Sequence, residues 1–222
     1  MQRRQLLGRG GCLLQATAAL GALAALQACS KSEEAPAAST ASTASTASAP
    51  AGASSPQAAA SSGALTPAQA YDLAATGSGF TIGPVMAANT VYVFFDPQCP
   101  HCAALWQACA EVGGRFRMQW MPVAFLARIS QTQGAAIISG KDPAALMNEN
   151  ESMLMQRKGG LDVLQISVPK DALDKVTANT ELLKKLGADS VPMIFYKNQR
   201  TGEAGSHSGA LPLQGLLEMV GA

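Results

Sequence analysis

Five consecutive apolar residues, Val91-Tyr92-Val93-Phe94-Phe95, run through Asp96-Pro97-Gln98 into a cysteine pair, Cys99-Pro100-His101-Cys102. A run this short, mostly β-branched or aromatic and without polar alternation, reads as a strand buried on both faces in the middle of a sheet. A helix follows: Pro100 suits the first helical position, and Cys102, Leu105 or Trp106, Cys109 and Val112 share one helical face. The strand therefore delivers Cys99 to a helix N-terminus, where unpaired backbone N–H groups and the positive end of the helix dipole stabilise an anion. A thiol so placed titrates low and attacks as thiolate, which makes Cys99 the expected nucleophile of a redox pair and Cys102 its resolving partner. His101 can add a hydrogen bond or, protonated, a charge beside that thiolate. Asp96, just before Pro97, is expected as a turn residue or an acceptor near the helix start.

The elements around this segment alternate in type. Thr66-Pro67 opens a short helix that Gly77 to Gly79 ends, and Phe80 to Val85 reads as a strand. The helix after Cys99 stops at Gly113-Gly114, and Arg115 to Phe125 forms the next strand, parallel to the first across that helix. Three helical stretches follow, Gln131 to Ser139, Pro143 to Lys158 and Asp171 to Leu186. Val191 to Tyr196 is again a strand, Asn198 to Gly202 a hairpin turn, Ala204 to Ser208 an edge strand, and Leu213 to Val220 a closing helix. A β-α-β half, a helical excursion and a β-β-α half make an α/β sandwich.

The front of the 222-residue chain has a different character. Residues 1–28 read as an export leader, with Arg3 and Arg4 followed by a Leu/Ala/Gly run and small residues before Cys29. Leu26-Gln27-Ala28-Cys29 resembles a bacterial lipoprotein cleavage box, which makes Cys29 the expected lipidation site; an ordinary signal peptide is the alternative. Arg3-Arg4-Gln5-Leu6-Leu7 also resembles a twin-arginine signal. Residues 29–64, nearly all Ala, Ser, Thr, Pro and Gly, cannot bury enough apolar area to offset their ordering entropy and read as a tether. Its ends would lie some 30 Å apart on average, at about 5–6 Å × √n. Residues 65–222 remain as one domain of ordinary size. Loss of the leader removes three arginines and no acid, so the remainder is mildly acidic and offers no basic face for nucleic acid.

Other uses of a Cys-x-x-Cys pair fit less well. Haem attachment needs a histidine where Ala103 stands. A closed zinc site needs four ligands, and only Cys109, His101 within the motif and the distant His207 are available. Copper could use sulfur from the nine methionines, but these are scattered, and Met118, Met121 and Met193 read as core. A merely structural disulfide closing so small a loop would constrain little unfolded-chain entropy. Cys109 reads as a small buried hydrophobe and His207 as a surface residue. No metal and no organic cofactor is expected, since the electrons reside in the two sulfurs.

Phe94-Phe95-Asp96-Pro97-Gln98-Cys99-Pro100-His101-Cys102, with Trp106 in the following helix, resembles the catalytic domain of the periplasmic thiol:disulfide interchange proteins of the DsbC/DsbG type. Met121-Pro122-Val123-Ala124-Phe125-Leu126, Ala135-Ala136-Ile137-Ile138, Lys141-Asp142-Pro143, Leu186-Gly187-Ala188 and Val191-Pro192-Met193-Ile194-Phe195-Tyr196 agree in order, so the likeness spans roughly Thr90 to Val220. The resemblance implies a thioredoxin-like fold with an inserted helical subdomain at about residues 130–187. It also implies a cis peptide at Pro192, with Val191 and Pro192 facing the cysteines and, together with Pro100, contacting an extended substrate segment.

Two departures matter. The family's N-terminal dimerisation domain has no counterpart here, which points to a monomer tethered by lipid. Pro100-His101 and Val191 resemble the oxidase DsbA instead, so the direction stays open between reduction or isomerisation of disulfides, reduction of sulfenic acids, and dithiol oxidation. A copper-binding or chaperone-like module without redox exchange is the alternative of another class. Thioredoxins also bury an acid six residues before the attacking cysteine; Val93 stands there, so something else must take the proton from Cys102, water being one candidate. The implied partners are exported proteins with disulfides or oxidised cysteines and a membrane redox protein, all in the periplasm.

Overall fold

The computed structural model describes residues 64–112 and 114–222; the expected leader, Cys29 and the tether up to residue 63 lie outside the described residues. The elements run α1 (Pro67–Ala74), β1 (Phe80–Ile82), β2 (Thr90–Phe95), α2 (Pro100–Ala110), β3 (Arg117–Pro122), α3 (Arg128–Ser139), α4 (Pro143–Met155), α5 (Lys170–Lys185), β4 (Met193–Lys197), β5 (Ala204–Ser208) and α6 (Leu213–Val220). No helix among them is long and apolar enough to cross a membrane.

Local chemistry accounts for where these elements start and stop. Thr66 caps α1 reciprocally with Gln69, each side chain bonding the other's backbone N–H. The first strand ends at Ile82 rather than Val85, because Gly83 takes a φ of 90° and Pro84 offers no N–H to a ladder. Likewise β3 ends at Pro122 rather than Phe125. Val123 N still reaches Phe95 O at 2.9 Å, but the next amides turn away to a side chain.

The strands form one sheet in the order β1-β3-β2-β4-β5. The apolar strand β2 is central as expected, parallel to β3 with Val93 opposite Trp120 and antiparallel to β4 with Val93 opposite Ile194. β1 and β5 pair antiparallel at the two edges. The alternation of β2 divides the core between two faces. Val91, Val93 and Phe95 join Leu105, Trp106, Met118, Trp120, Met147 and Leu216, so α2, α4 and α6 cover that side. Phe94 joins Met121, Phe195, Ala74, Leu182 and Leu183, so α1 and α5 cover the other. Trp106 meets Trp120 edge-on at 4.9 Å, and Trp120 meets Phe95 at 5.7 Å; such pairs add about 0.5–1.5 kcal/mol to the area they bury.

The helical excursion is bolted to the sheet by buried polar groups. Asn179 on α5 receives Ser78 N at 2.9 Å and donates to Ser78 O and Pro122 O. Asp96, wholly buried at the end of β2, is the larger anchor. Its Oδ1 accepts from Gln98 N at 2.8 Å and Ser130 Oγ at 2.6 Å, and its Oδ2 from Phe125 N and Leu126 N, both at 2.7 Å. It is thus a turn residue, while the helix-cap position belongs to Cys99. Asp96→Asn would turn an amide N–H₂ toward two of those four donors. With charged hydrogen bonds worth about 1.5–3 kcal/mol each, urea denaturation should show a loss of roughly 3–5 kcal/mol. A loss below about 1 kcal/mol would mean that Asp96 is not an anchor.

Candidate active site

Cys99 sits where strand becomes helix. Its N–H donates to Asp96 O at 2.9 Å, which closes the turn after β2, and its own φ and ψ of −98° and 111° are those of an N-cap. Its Sγ accepts the Cys102 N–H at 3.3 Å, in the place where a serine or aspartate oxygen would cap a helix. From the far side, the loop before β4 presents the Val191 carbonyl, to which the Cys99 thiol donates at 3.4 Å. The Val191–Pro192 peptide is cis, and Pro192 O is held by Gly209 N at 2.8 Å. Cys99, Cys102, Pro100, Val191 and Pro192 therefore converge on one point, with Pro100 exposed at the first turn of α2.

The two thiols are both free and both covered, yet they are pushed in opposite directions. The Cys102 thiol, the Cys102 N–H and the His101 N–H all stabilise the Cys99 thiolate; they outweigh burial and the Asp96 charge and bring Cys99 down to about 7. Burial, followed by the bond it gives Cys99 and the charge there, holds Cys102 well above the ordinary thiol range. Cys109, on the buried face of α2, is pushed up to about 12 by burial alone. His101 acts through its backbone: its side chain is exposed, and none of the described hydrogen bonds involves the imidazole.

A polar collar surrounds the loop. Gln98 Nε2 donates to Gln133 Oε1 at 2.6 Å and to Gly159 O at 2.7 Å, and Gln133 Nε2 donates to Gly159 O and Leu161 O. Asn150 Nδ2 donates to Pro97 O at 2.9 Å while its Oδ1 accepts from Leu161 N. Gly160, with a φ of 77°, lies so close that a Cβ there would stand 2.7 Å from Asn150 Oδ1. Beside Asn150 lies Glu151, a buried carboxyl raised to about 8 by its desolvation and by the neighbouring Cys99 and Asp96 charges. Sequence reasoning named none of Gln98, Ser130, Gln133, Asn150, Gly160 and Glu151 as site residues. Within their own helices Ser130, Gln133, Asn150 and Glu151 resemble solvated positions, so no local signal marks them.

The methionines weighed as copper ligands lie apart from one another. Met118 lies in the core on one face of the sheet and Met121 in the core on the other, so their sulfurs do not converge. His207 stands on the edge strand β5, opposite Ile194. Among the described residues no three His, Cys, Asp or Glu side chains are grouped to hold an ion.

Because the folded-state value of Cys99 is depressed, its thiolate forms as pH rises through about 7 and is lost below it. Alkylation of the native dithiol by iodoacetamide should therefore follow a single titration near pH 7 and label Cys99 alone. Cys102 and Cys109 should react only after unfolding. A midpoint near 8.5, the value of an unperturbed thiol, would remove the case for an activated sulfur.

No family model matches the chain. The thiol:disulfide interchange protein DsbG of Pseudomonas aeruginosa is 27% identical over 143 residues, covering 63% of this chain and 54% of that protein. DsbG of Escherichia coli is 30% identical over 113 residues, covering 49% and 44%. The chain thus spans about half the length of the curated relatives it matches. Among solved structures, Proteus mirabilis ScsC in a transitional conformation matches with a TM-score of 0.55 at 21% identity, over 68% of this chain and 73% of that one. A periplasmic thioredoxin-like protein from Salmonella enterica serovar Typhimurium matches with a TM-score of 0.53 at 15% identity, over 68% and 94%. The structures carry the thioredoxin-like fold, and the curated sequences make the chain similar to the thiol:disulfide interchange proteins of the DsbC/DsbG type.

Proposed function

We propose that this protein is a thiol:disulfide oxidoreductase that reduces or isomerises disulfides, or reduces sulfenic acids, in exported proteins. One observation carries the reading: the Cys99 sulfur caps α2, is held near pH 7, and lies 3.4 Å from the carbonyl of the residue before the cis proline. The Cys99 thiolate attacks a substrate disulfide, one substrate sulfur leaves as thiolate, and a mixed disulfide forms. Cys102 then attacks Cys99 and releases the second substrate sulfur, so the enzyme ends oxidised and the substrate reduced. Val191 and Pro192 offer backbone groups to an extended client segment, and Pro100 borders the same surface.

The thiol's acidity supports the direction. A strongly stabilised thiolate, as in DsbA at about 3.5, favours the reduced enzyme and makes its disulfide a strong oxidant, whereas a value near 7 matches thioredoxin-type reductants. Cys99 at about 7 belongs with the second group. The proposed setting is the periplasm, with residues 1–28 removed, Cys29 lipidated, the domain a tethered monomer, and a membrane redox partner returning electrons to the pair.

The purified protein with dithiothreitol should speed reduction of insulin disulfides. Cys99→Ser should abolish this activity, and Cys102→Ser should accumulate a mixed disulfide between Cys99 and insulin. In cells, acid quench and alkylation should find the pair mostly reduced. No rate above background would remove the enzyme reading, and a mostly oxidised pair would replace it with dithiol oxidation.

A further inference from the structure

Glu151 is a carboxyl group for which neither the fold nor the exchange chemistry accounts. It lies on α4 at 1% exposure, and its Oε2 has no hydrogen-bond partner. Its Oε1 receives only a 3.3 Å bond from Asn150 Nδ2, which is shared with Pro97 O at 2.9 Å. Among the described residues no cation pairs with it, and the recorded ion pairs all lie on α5. Such burial strongly disfavours the carboxylate.

Its helix packs on α2, the helix that carries the cysteine pair. Met147, one turn earlier on the same helical face, belongs to the core cluster that contains Cys99 and Cys102. Trp106, one turn beyond Cys102, donates to Asn148 at 2.7 Å and so locks α2 to α4. Of the elements packed on α4, α2 brings His101, Cys102 and Cys109, α3 brings Arg128 alone, and β1 brings no ionisable side chain. His101 and Arg128 are exposed. The charge of Glu151 is felt at Cys102, and Glu151 in turn feels Cys99 and Asp96.

We propose that Glu151 is the proton acceptor for Cys102 in the resolving step, its unpartnered Oε2 taking the thiol proton as the Cys102 sulfur attacks Cys99. This rests on the exchange reading above. In the mixed disulfide, Cys102 gives its proton to Glu151 and its sulfur bonds to Cys99 Sγ. The bond between Cys99 and the substrate sulfur breaks, its electron pair leaves on that sulfur, and solvent protonates it. The acid therefore comes from a helix of the excursion, not from the strand position where Val93 stands.

Charge coupling supplies the timing. While Cys99 is a free thiolate, its charge adds to burial in keeping Glu151 protonated, raised to about 8. Once Cys99 is bonded to substrate that charge is gone, and the carboxylate becomes easier to form at the stage where Cys102 must lose its proton. One negative charge thus moves between Cys99 and Glu151, beside the fixed charge of Asp96.

A two-step assay separates the claims. Reduced full-length protein is mixed with an aromatic disulfide that releases coloured nitrothiobenzoate, first when Cys99 attacks and again when Cys102 resolves. Glu151→Gln should leave the first release within about twofold of the parent and slow the second at least about tenfold at pH 7. The variant's second rate should then climb steadily with pH without the parent's inflection, Glu151→Asp should recover part of it, and Cys102→Ala should show no second release. A second release in Glu151→Gln within about twofold of the parent from pH 6 to 9 overturns the proposal. Absence of the first release in the parent overturns the exchange reading instead. Should Glu151→Gln not fold, infrared difference spectra of the parent decide: alkylating Cys99 to a thioether, which Cys102 cannot displace, should diminish a buried carboxylic C=O band at pH 7, and an unchanged band refutes the assignment.

Discussion

The site depends on one buried carboxylate that does not react. Asp96 gathers three backbone N–H groups and the Ser130 hydroxyl, and these donors come from two different segments of the chain. One is the turn that carries the cysteines; the other is the connection that leaves the sheet for the helical excursion. The Asp96 backbone carbonyl also receives Cys99 N, so the residue that ties the two segments sets the height of Cys99 at the start of α2. This anchoring has an electrostatic cost, because the same charge opposes the Cys99 thiolate. Hydrogen bonds from the thiol and N–H of Cys102 and from the His101 N–H prevail, since they act at contact distance while the Asp96 charge is engaged by its own four donors.

The asymmetry of the cysteine pair follows from helix geometry. A residue at the N-cap faces the first free N–H groups, whereas one three positions later has its own N–H engaged and its side chain turned into the core. The hydrogen bond between the two thiols then works in both directions: it lowers the acceptor and raises the donor. A chain that places Cys-x-x-Cys across a strand-to-helix boundary thereby obtains a ready nucleophile and a resolving group held in its protonated form.

Much of this was legible in the sequence, and the reason lies in local signals. The apolar run of β2, the proline after Cys99 and the glycines after α2 each act within a few residues, and each element they imply is present. The apolar content that reads as strand to Val85 and Phe125 is overridden by Gly83 and Pro84 after β1, and after β3 by amides beyond Val123 that bond to Thr180 and Asp96. Strand order depends on long-range pairing and was not readable. The buried polar set was opaque for another reason: Ser130, Gln133, Asn150 and Glu151 each look, within their own helix, like solvated positions. Only partners 28 to 53 residues away, such as Leu161 for Gln133 and Pro97 for Asn150, reveal the first three as interior, and Glu151 is revealed by its burial alone.

Those distant bonds also change what the helical excursion is. Had it been a separate lobe, its polar residues would face water and its removal would leave the cysteine loop intact. Instead Gln98 and Pro97, the two residues before Cys99, bond to Gln133, Gly159 and Asn150. The loop that aims the nucleophile is therefore half-built by helices outside the β-α-β unit. Gly160 shows how tightly, since a Cβ on its left-handed backbone would stand 2.7 to 3.1 Å from all three amides of the collar. Thiol acidity in this fold is accordingly a property of two layers: the helix N-terminus stabilises the thiolate, and the excursion fixes the turn that keeps the sulfur there.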